Sequence, residues 1–222
     1  MIKQKLNRIY TRLYSAFGPQ HWWPGDTPFE VAVGAVLTQN TNWGNVEKAI
    51  ANLKEAGALS PIAMERMSAA RLAGLIRPSG YYNVKTVRLK ALVSFIMKEF
   101  QGDIEKMKTG DTHALRQKLL GINGIGQETA DSILLYAADV PVFVIDAYTK
   151  RVLSRHEILA ADSGYQDFQA LFHKHMAQDR RLYNEYHALF VRTGKMFCRP
   201  RDPRCGACPL ADEKPTPVFI NE

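Results

Sequence analysis

The 222-residue sequence lacks a hydrophobic run long enough to cross a membrane. Even the apolar stretch 29–37 is interrupted by Glu30 and Gly34, whereas a membrane-spanning helix needs roughly 20 apolar residues. The first five residues, MIKQK, also lack the apolar core of a secretory signal. We therefore expect a cytoplasmic protein that does not contact a membrane.

Cysteine is scarce as well. The three cysteines, Cys198, Cys205 and Cys208, all lie near the C-terminal end. An odd, clustered set in a chain without a secretory signal argues against disulfides and favours a metal site.

Alternating patterns long enough for a sheet are also missing, so an all-α fold is expected. The segment 140–145 is short and fits either a strand or an extended linker. Elsewhere, apolar residues recur every three or four positions, which is typical of helices packed on one face. The predicted helices are 2–17, 28–37, 43–56, 61–76, 84–100, 111–120, 127–138, 146–156, 165–177 and 180–195.

The segment 119–130 contains a glycine hairpin between two predicted helices. Gly124 and Gly126 allow a tight turn and expose backbone N–H groups at the start of the following helix, where they suit a phosphate. A simple corner between helices, with no ligand, is the alternative. The formal net charge of +7 favours a polyanionic partner.

A single aspartate, Asp146, follows the apolar segment 140–145. It fits the N-cap of the next helix, and it equally fits a catalytic carboxylate.

The hairpin together with Asp146 resembles the helix-hairpin-helix DNA glycosylase superfamily, and within it the endonuclease III family. Residues 37–41 resemble the family segment whose glutamine, here Gln39, fills the gap left by a flipped base. The resemblance implies two helical lobes with a DNA- and base-binding cleft between them. One lobe would comprise 1–28 with 140–222, including the cysteine loop 198–208. The other would comprise 29–139, with the helix-hairpin-helix at 115–137.

The resemblance also implies a partner and its contacts. The partner would be double-stranded DNA with a damaged base. The protein would act as a monomer and associate with the nucleoid. Gly124, Gly126 and Lys150 would bind phosphates, and hairpin carbonyls would hold a monovalent cation. For Lys150, a displaced nucleophile or an ion pair with Asp146 is the alternative.

Bifunctional members of the superfamily use a lysine, early in the second helix of the motif, as the nucleophile. Glu128 occupies that position, and a carboxylate cannot form a Schiff base. The resemblance therefore implies a glycosylase without AP lyase activity, in which Asp146 stabilises positive charge on the sugar. Glu128 would either place the attacking water or simply cap its helix.

Adjacent tryptophans, Trp22 and Trp23, indicate an aromatic pocket for a positively charged base. With Trp43 they resemble the 3-methyladenine DNA glycosylase III branch of the family, although Trp43 also fits a core position. The implied function is base excision repair of alkylated purines. The alternatives are an endonuclease III-like glycosylase and AP lyase acting on oxidised pyrimidines, and a non-catalytic module that binds lesions.

The cysteine loop resembles the family's iron–sulfur loop, but Lys214 stands where the fourth cysteine is expected. Three thiolates, completed by a water or by the carboxylate of Asp212 or Glu213, could hold a [4Fe–4S] cluster. Loss of the cluster, with ordinary packing or a three-cysteine zinc site in its place, is the alternative.

Overall fold

The computed structural model describes residues 1–213, and all regular structure in that range is helical. The prediction of an all-α fold is therefore confirmed. No described helix is both long and apolar enough to span a membrane. The helices are α1 (Ile2–Phe17), α2 (Pro28–Leu37), α3 (Trp43–Glu55), α4 (Pro61–Arg66), α5 (Ala69–Leu75), α6 (Tyr82–Phe100), α7 (Thr112–Leu120), α8 (Gln127–Ser132), α9 (Ala147–Arg155), α10 (Tyr165–His175) and α11 (Arg180–Met196). Short 3₁₀ turns cover Arg77–Ser79, Ile104–Thr109 and Cys205–Ala207.

The chain divides into two compact units. One unit contains Met1–Trp22 and the described residues from Pro141 onward, and the other contains Trp23–Val140. The divisions thus fall at 22/23 and 140/141, compared with the predicted lobe boundaries at 28/29 and 139/140.

Two predicted helices are interrupted. The stretch 61–76 breaks after α4, because the Ser68 side chain accepts a hydrogen bond from the Arg71 N–H and starts α5 as its N-cap. The stretch 127–138 changes after α8 into a π-helical turn, Ile133–Ala137, in which the Ala138 N–H reaches the Ile133 carbonyl at 3.0 Å. Such turns close a hydrogen bond between residues five apart and often lie at functional sites.

The segment 140–145 has no regular secondary structure and joins no strand within the described residues. Side chains of α10 provide hydrogen bonds to its backbone instead. Gln169 donates to the Phe143 carbonyl at 2.8 Å, and His173 Nε2 accepts from the Phe143 N–H at 3.0 Å. The Tyr165 hydroxyl accepts from the Ile145 N–H at 3.3 Å. One face of a helix thus replaces a neighbouring strand, and the chain enters Asp146 in a defined conformation.

Candidate active site

Asp146 is the N-cap of α9, as its position in the sequence predicts. Its Oδ1 accepts a hydrogen bond from the Thr149 N–H at 2.7 Å, and the residue is only 8% exposed. The second carboxylate oxygen, Oδ2, lies 3.5 Å from His187 Nε2. The cap therefore fixes one oxygen of the carboxylate and leaves the other beside a histidine.

Burial by itself raises the pKa of Asp146. The charge and hydrogen bond of His187, together with the Thr149 N–H, outweigh burial and lower the pKa below its usual value. Asp146 is therefore an ionised carboxylate at neutral pH.

His187 is a site residue that sequence reasoning missed. It lies on α11, which packs closely on α9. The close approach is possible because Gly194 has no side chain, since a Cβ there would lie 2.3 Å from the Tyr148 ring of α9. Nothing local in the sequence links positions 146 and 187. The one available signal is a histidine on the buried face of α11, beside the fully buried Tyr186.

The hairpin is held by a buried ion pair between its two helices. Arg116 on α7 donates to both carboxylate oxygens of Asp131 on α8, at 2.7 and 3.0 Å, and Asp131 is fully buried. Gly124 has a φ of +83°, which favours glycine, and Gly126 is the N-cap of α8. Glu128 is exposed in the first turn of α8, where a carboxylate suits the helix dipole.

Gln39 contacts the hairpin directly. Its Nε2 donates to the Gly124 carbonyl at 3.2 Å, so the structure brings together the predicted gap-filling residue and a predicted phosphate-binding residue. The Ile122 carbonyl accepts from the Ile125 N–H at 3.0 Å. Both are hairpin carbonyls, and the monovalent cation they would hold stays a prediction.

Trp23 and Trp43 lie together. Their rings meet edge to face, 5.3 Å apart, and the Trp23 ring also lies 5.2 Å from Tyr136 in the π-helical turn. Gly34 makes room for the Trp23 indole, since a Cβ there would lie 3.3 Å from Trp23 Nε1. Tyr136 was missed by sequence reasoning, because its orientation depends on the change from α-helix to π-helix.

The two tryptophans line a pocket of about 210 Å³, shared with carboxylates and one ammonium group. Trp43 Nε1 donates to Glu47 at 2.8 Å. The buried Glu30 receives the Lys54 ammonium at 2.8 Å, and Lys54 also bonds Asp26 at 2.7 Å. The pocket wall is thus aromatic, with acidic groups in excess.

Trp22 and Lys150 belong to the other unit. The Lys195 ammonium lies 6.0 Å from the centre of the Trp22 ring. The Lys150 ammonium donates to the Ser163 carbonyl at 3.3 Å and lies over the Phe168 ring. Roles for Trp22 in base binding and for Lys150 in phosphate binding stay predictions.

The cysteine loop is fastened to α9 by arginines. Arg151 donates to the Cys198 carbonyl at 2.6 Å, and Arg155 donates to the Cys198 sulfur at 3.4 Å and to the Arg199 carbonyl at 2.7 Å. Cys198 and Cys208 are half-buried, and Cys205 is exposed. Burial raises the pKa of the Cys208 thiol.

The described part of the chain does not group the predicted cluster ligands as a metal site, and the [4Fe–4S] cluster stays a prediction. Across residues 1–213, no three His, Cys, Asp or Glu side chains are grouped to hold a metal ion. Glu213 instead forms ion pairs with Arg8 at 3.5 Å and Arg12 at 3.2 Å. Lys214, at the position of the fourth ligand, lies outside the described residues.

The fold and the hairpin define a class of protein. Residues 33–178 match the HhH-GPD superfamily base excision DNA repair protein family. The chain belongs to this superfamily and is a DNA glycosylase of base excision repair, as the sequence predicts.

Relatives of known sequence extend over most of the chain. A protein of Methanocaldococcus jannaschii is 45% identical to this chain, over 94% of this chain and 95% of the relative's length. The assignment of that relative as a DNA repair glycosylase is itself provisional. Endonuclease III of Sulfolobus acidocaldarius is 28% identical over 83% of this chain and 80% of its own.

Solved structures show the same fold. The H. pylori 3-methyladenine DNA glycosylase bound to 1,N6-ethenoadenine superposes with a TM-score of 0.74 and 31% identity, over 86% of this chain and 97% of that one. A non-covalent endonuclease III–DNA complex superposes with a TM-score of 0.80 and 21% identity, over 94% of this chain and 93% of that one. The predicted helix-hairpin-helix glycosylase fold is confirmed.

Proposed function

We propose that this glycosylase hydrolyses the N-glycosidic bond of alkylated purines of the 3-methyladenine type in double-stranded DNA, without AP lyase activity. The observation that carries the substrate class is the pocket lined by Trp23 and Trp43. At about 210 Å³ it is smaller than the roughly 300–1,000 Å³ typical of drug-sized ligands, and its size suits a single planar ring system.

The chemistry of the pocket wall favours a cationic base over a neutral one. The faces of indole rings attract positive charge, and Glu30 and Glu47 outnumber the single ammonium of Lys54 in the wall. A purine alkylated at N3 or N7 carries positive charge, whereas an oxidised pyrimidine is neutral. The 31% identity to a 3-methyladenine DNA glycosylase bound to an ethenoadenine supports the same class.

Asp146 supplies the catalytic carboxylate in this proposal. As the bond between the base and C1′ breaks, positive charge develops on the sugar, and an ionised carboxylate stabilises it. A water oxygen then bonds to C1′, and its proton passes to Asp146 before release to solvent. The alkylated base leaves as a neutral molecule, so no strong general acid is required.

The proposed absence of lyase activity rests on Glu128. Strand cleavage requires an amine that forms a Schiff base with C1′, and Glu128 stands at the position of the family nucleophile. Glu128 itself would help to place the attacking water. Gly124, Gly126 and Lys150 would contact phosphates, Trp22 would contact the flipped base, and Gln39 would fill the gap left by the base.

The test uses methylated duplex DNA, with base release and strand breaks measured separately for wild type and Asp146→Asn. Wild type should release methylpurines without breaking strands, and borohydride should trap no covalent protein–DNA adduct. Asp146→Asn should bind DNA with similar affinity and release no base. A trapped adduct would overturn the hydrolytic mechanism, and full activity of Asp146→Asn would overturn the role of the carboxylate.

A further inference from the structure

The terminal amide of Gln39 is hydrogen-bonded on all sides by the unit 23–140. Its Nε2 donates to Thr129 Oγ1 at 2.8 Å and to the Gly124 carbonyl at 3.2 Å, and its Oε1 accepts from the Arg88 guanidinium. A guanidinium only donates and a carbonyl only accepts, so the orientation of the amide is unambiguous. Both amide N–H groups and the amide oxygen are therefore engaged by protein.

The partners come from three separate elements. Arg88 lies on α6, Gly124 on the hairpin and Thr129 on α8. The stem of Arg88 crosses directly over Gly124, where a Cβ would lie 2.5 Å from Arg88 Cγ. Glycine at this position thus serves the docking of Arg88 as well as the turn of the hairpin.

The backbone just before Gln39 is held by α6 as well. Lys85, one turn before Arg88, is buried, and its ammonium donates to the Leu37 carbonyl at 2.8 Å and the Ser79 carbonyl at 2.7 Å. Leu37 is the last residue of α2, two positions before Gln39. The segment that carries Gln39 is consequently held at both its backbone and its side chain.

A side chain held in this way cannot enter a DNA duplex without breaking contacts. Insertion of the amide into the stack exchanges the bonds to Arg88, Gly124 and Thr129 for contacts with DNA. In intact DNA the inserting side chain must also displace a stacked base. The free energy of the docked state therefore adds to the barrier for insertion of Gln39 into intact DNA. Contacts with DNA offset this cost only where a base has already left the stack.

We propose that Arg88 and Thr129 are specificity-determining residues that hold Gln39 docked on the hairpin, and that gap filling requires its release. The inference rests on the proposed gap-filling role of Gln39. Weakening the docked state should make insertion of Gln39 easier and less selective for damaged sites. If Arg88 and Thr129 instead supported the inserted side chain, substituting them would make insertion harder.

Thr129→Val gives the sharpest test because it removes the hydroxyl and keeps the shape of the side chain. The probe is a duplex with a tetrahydrofuran abasic analogue opposite 2-aminopurine, whose fluorescence reports insertion at saturating protein. Thr129→Val should raise the insertion equilibrium constant about fivefold, the effect expected for one neutral hydrogen bond. Arg88→Met should change it in the same direction.

Matched variants control the measurement. Thr129→Ser keeps the hydroxyl and should behave as wild type. Thr129→Val should have no effect on DNA binding or fluorescence when combined with Gln39→Ala, since coupled residues are non-additive. An unchanged or lower insertion constant for Thr129→Val, or an effect that persists in the Gln39→Ala background, would overturn the proposal.

The probe also separates this inference from the proposed function, since an abasic analogue requires no base chemistry. A wild-type protein that releases no methylpurine contradicts the proposed substrate class and leaves the fluorescence result intact. A Gln39→Ala variant with the wild-type signal removes the gap-filling role, and the docking inference fails with it.

Discussion

The pairing of Asp146 with His187 places a histidine where it controls the charge of the proposed catalytic carboxylate. The Asp146 pKa is lowered because His187 and the Thr149 N–H outweigh burial. Without His187, the effect of burial, which raises the pKa of Asp146, is less offset, so the Asp146 pKa should rise. The histidine therefore acts as a positioning residue, with an effect that a pH profile can separate from general loss of structure.

His187→Asn should shift the acid limb of the single-turnover rate to higher pH. The direction follows because a carboxylate with a raised pKa is protonated earlier as the pH falls, and the protonated form cannot stabilise positive charge on the sugar. His187→Gln, whose amide has a longer reach toward Oδ2, should shift the limb less. Identical acid limbs for wild type and His187→Asn would refute the coupling.

The Trp23 ring should matter more for base release than for DNA binding. Trp23→Ala should lower the single-turnover rate at least about tenfold, since an aromatic contact and the burial behind it are lost, while the affinity for undamaged DNA changes little. Trp23→Phe keeps a ring face and should retain most of the rate. Equal losses in binding and release for Trp23→Ala would place Trp23 outside the base pocket.

Among the elements, α6 connects the end of α2 to the 3₁₀ turn Arg77–Ser79 through one buried lysine, Lys85. Burial, followed by the nearby Arg88, lowers the pKa of Lys85 to about 8 from an unperturbed 10.5. Replacing it with methionine leaves the Leu37 and Ser79 carbonyls without their ammonium donor. The free energy of unfolding for Lys85→Met should fall by about 2 kcal/mol, as measured by urea denaturation.

The same substitution has a pH signature. Between about pH 8 and 10.5 the unfolded chain binds more protons at Lys85 than the folded chain does, so this residue makes the free energy of unfolding rise with pH. The stability difference between wild type and Lys85→Met should therefore widen over that range. Exposed Lys48→Met is the control, with an expected change within about 0.5 kcal/mol. A pH-independent difference would contradict the lowered pKa.

Helices with local signals were predictable from the sequence. α1 and α2 begin and end where periodicity, Thr27 and Pro28 predict them. The break at Ser68 was not predicted, because the apolar spacing continues across it and only a side-chain bond to Arg71 N–H decides it. The π-helical turn likewise depends on packing, which a residue count cannot show.

For the molecule as a whole, the sequence predicted the superfamily because the hairpin, Asp146 and Gln39 are each encoded in short segments. The contacts that tune them are not. His187 lies 41 positions from Asp146, and Arg88 lies 49 positions from Gln39. Only the folded chain brings these partners together, so the charge of the carboxylate and the docking of Gln39 could not be predicted.

The central claim is that the molecule is a hydrolytic glycosylase for cationic, alkylated purines. The most direct measurement compares single-turnover release of 3-methyladenine from methylated duplex DNA with release of thymine glycol from oxidised duplex DNA, under the same salt and pH. The expected result is faster release of 3-methyladenine, with intact strands. Faster release of thymine glycol, accompanied by strand cleavage, would contradict the account.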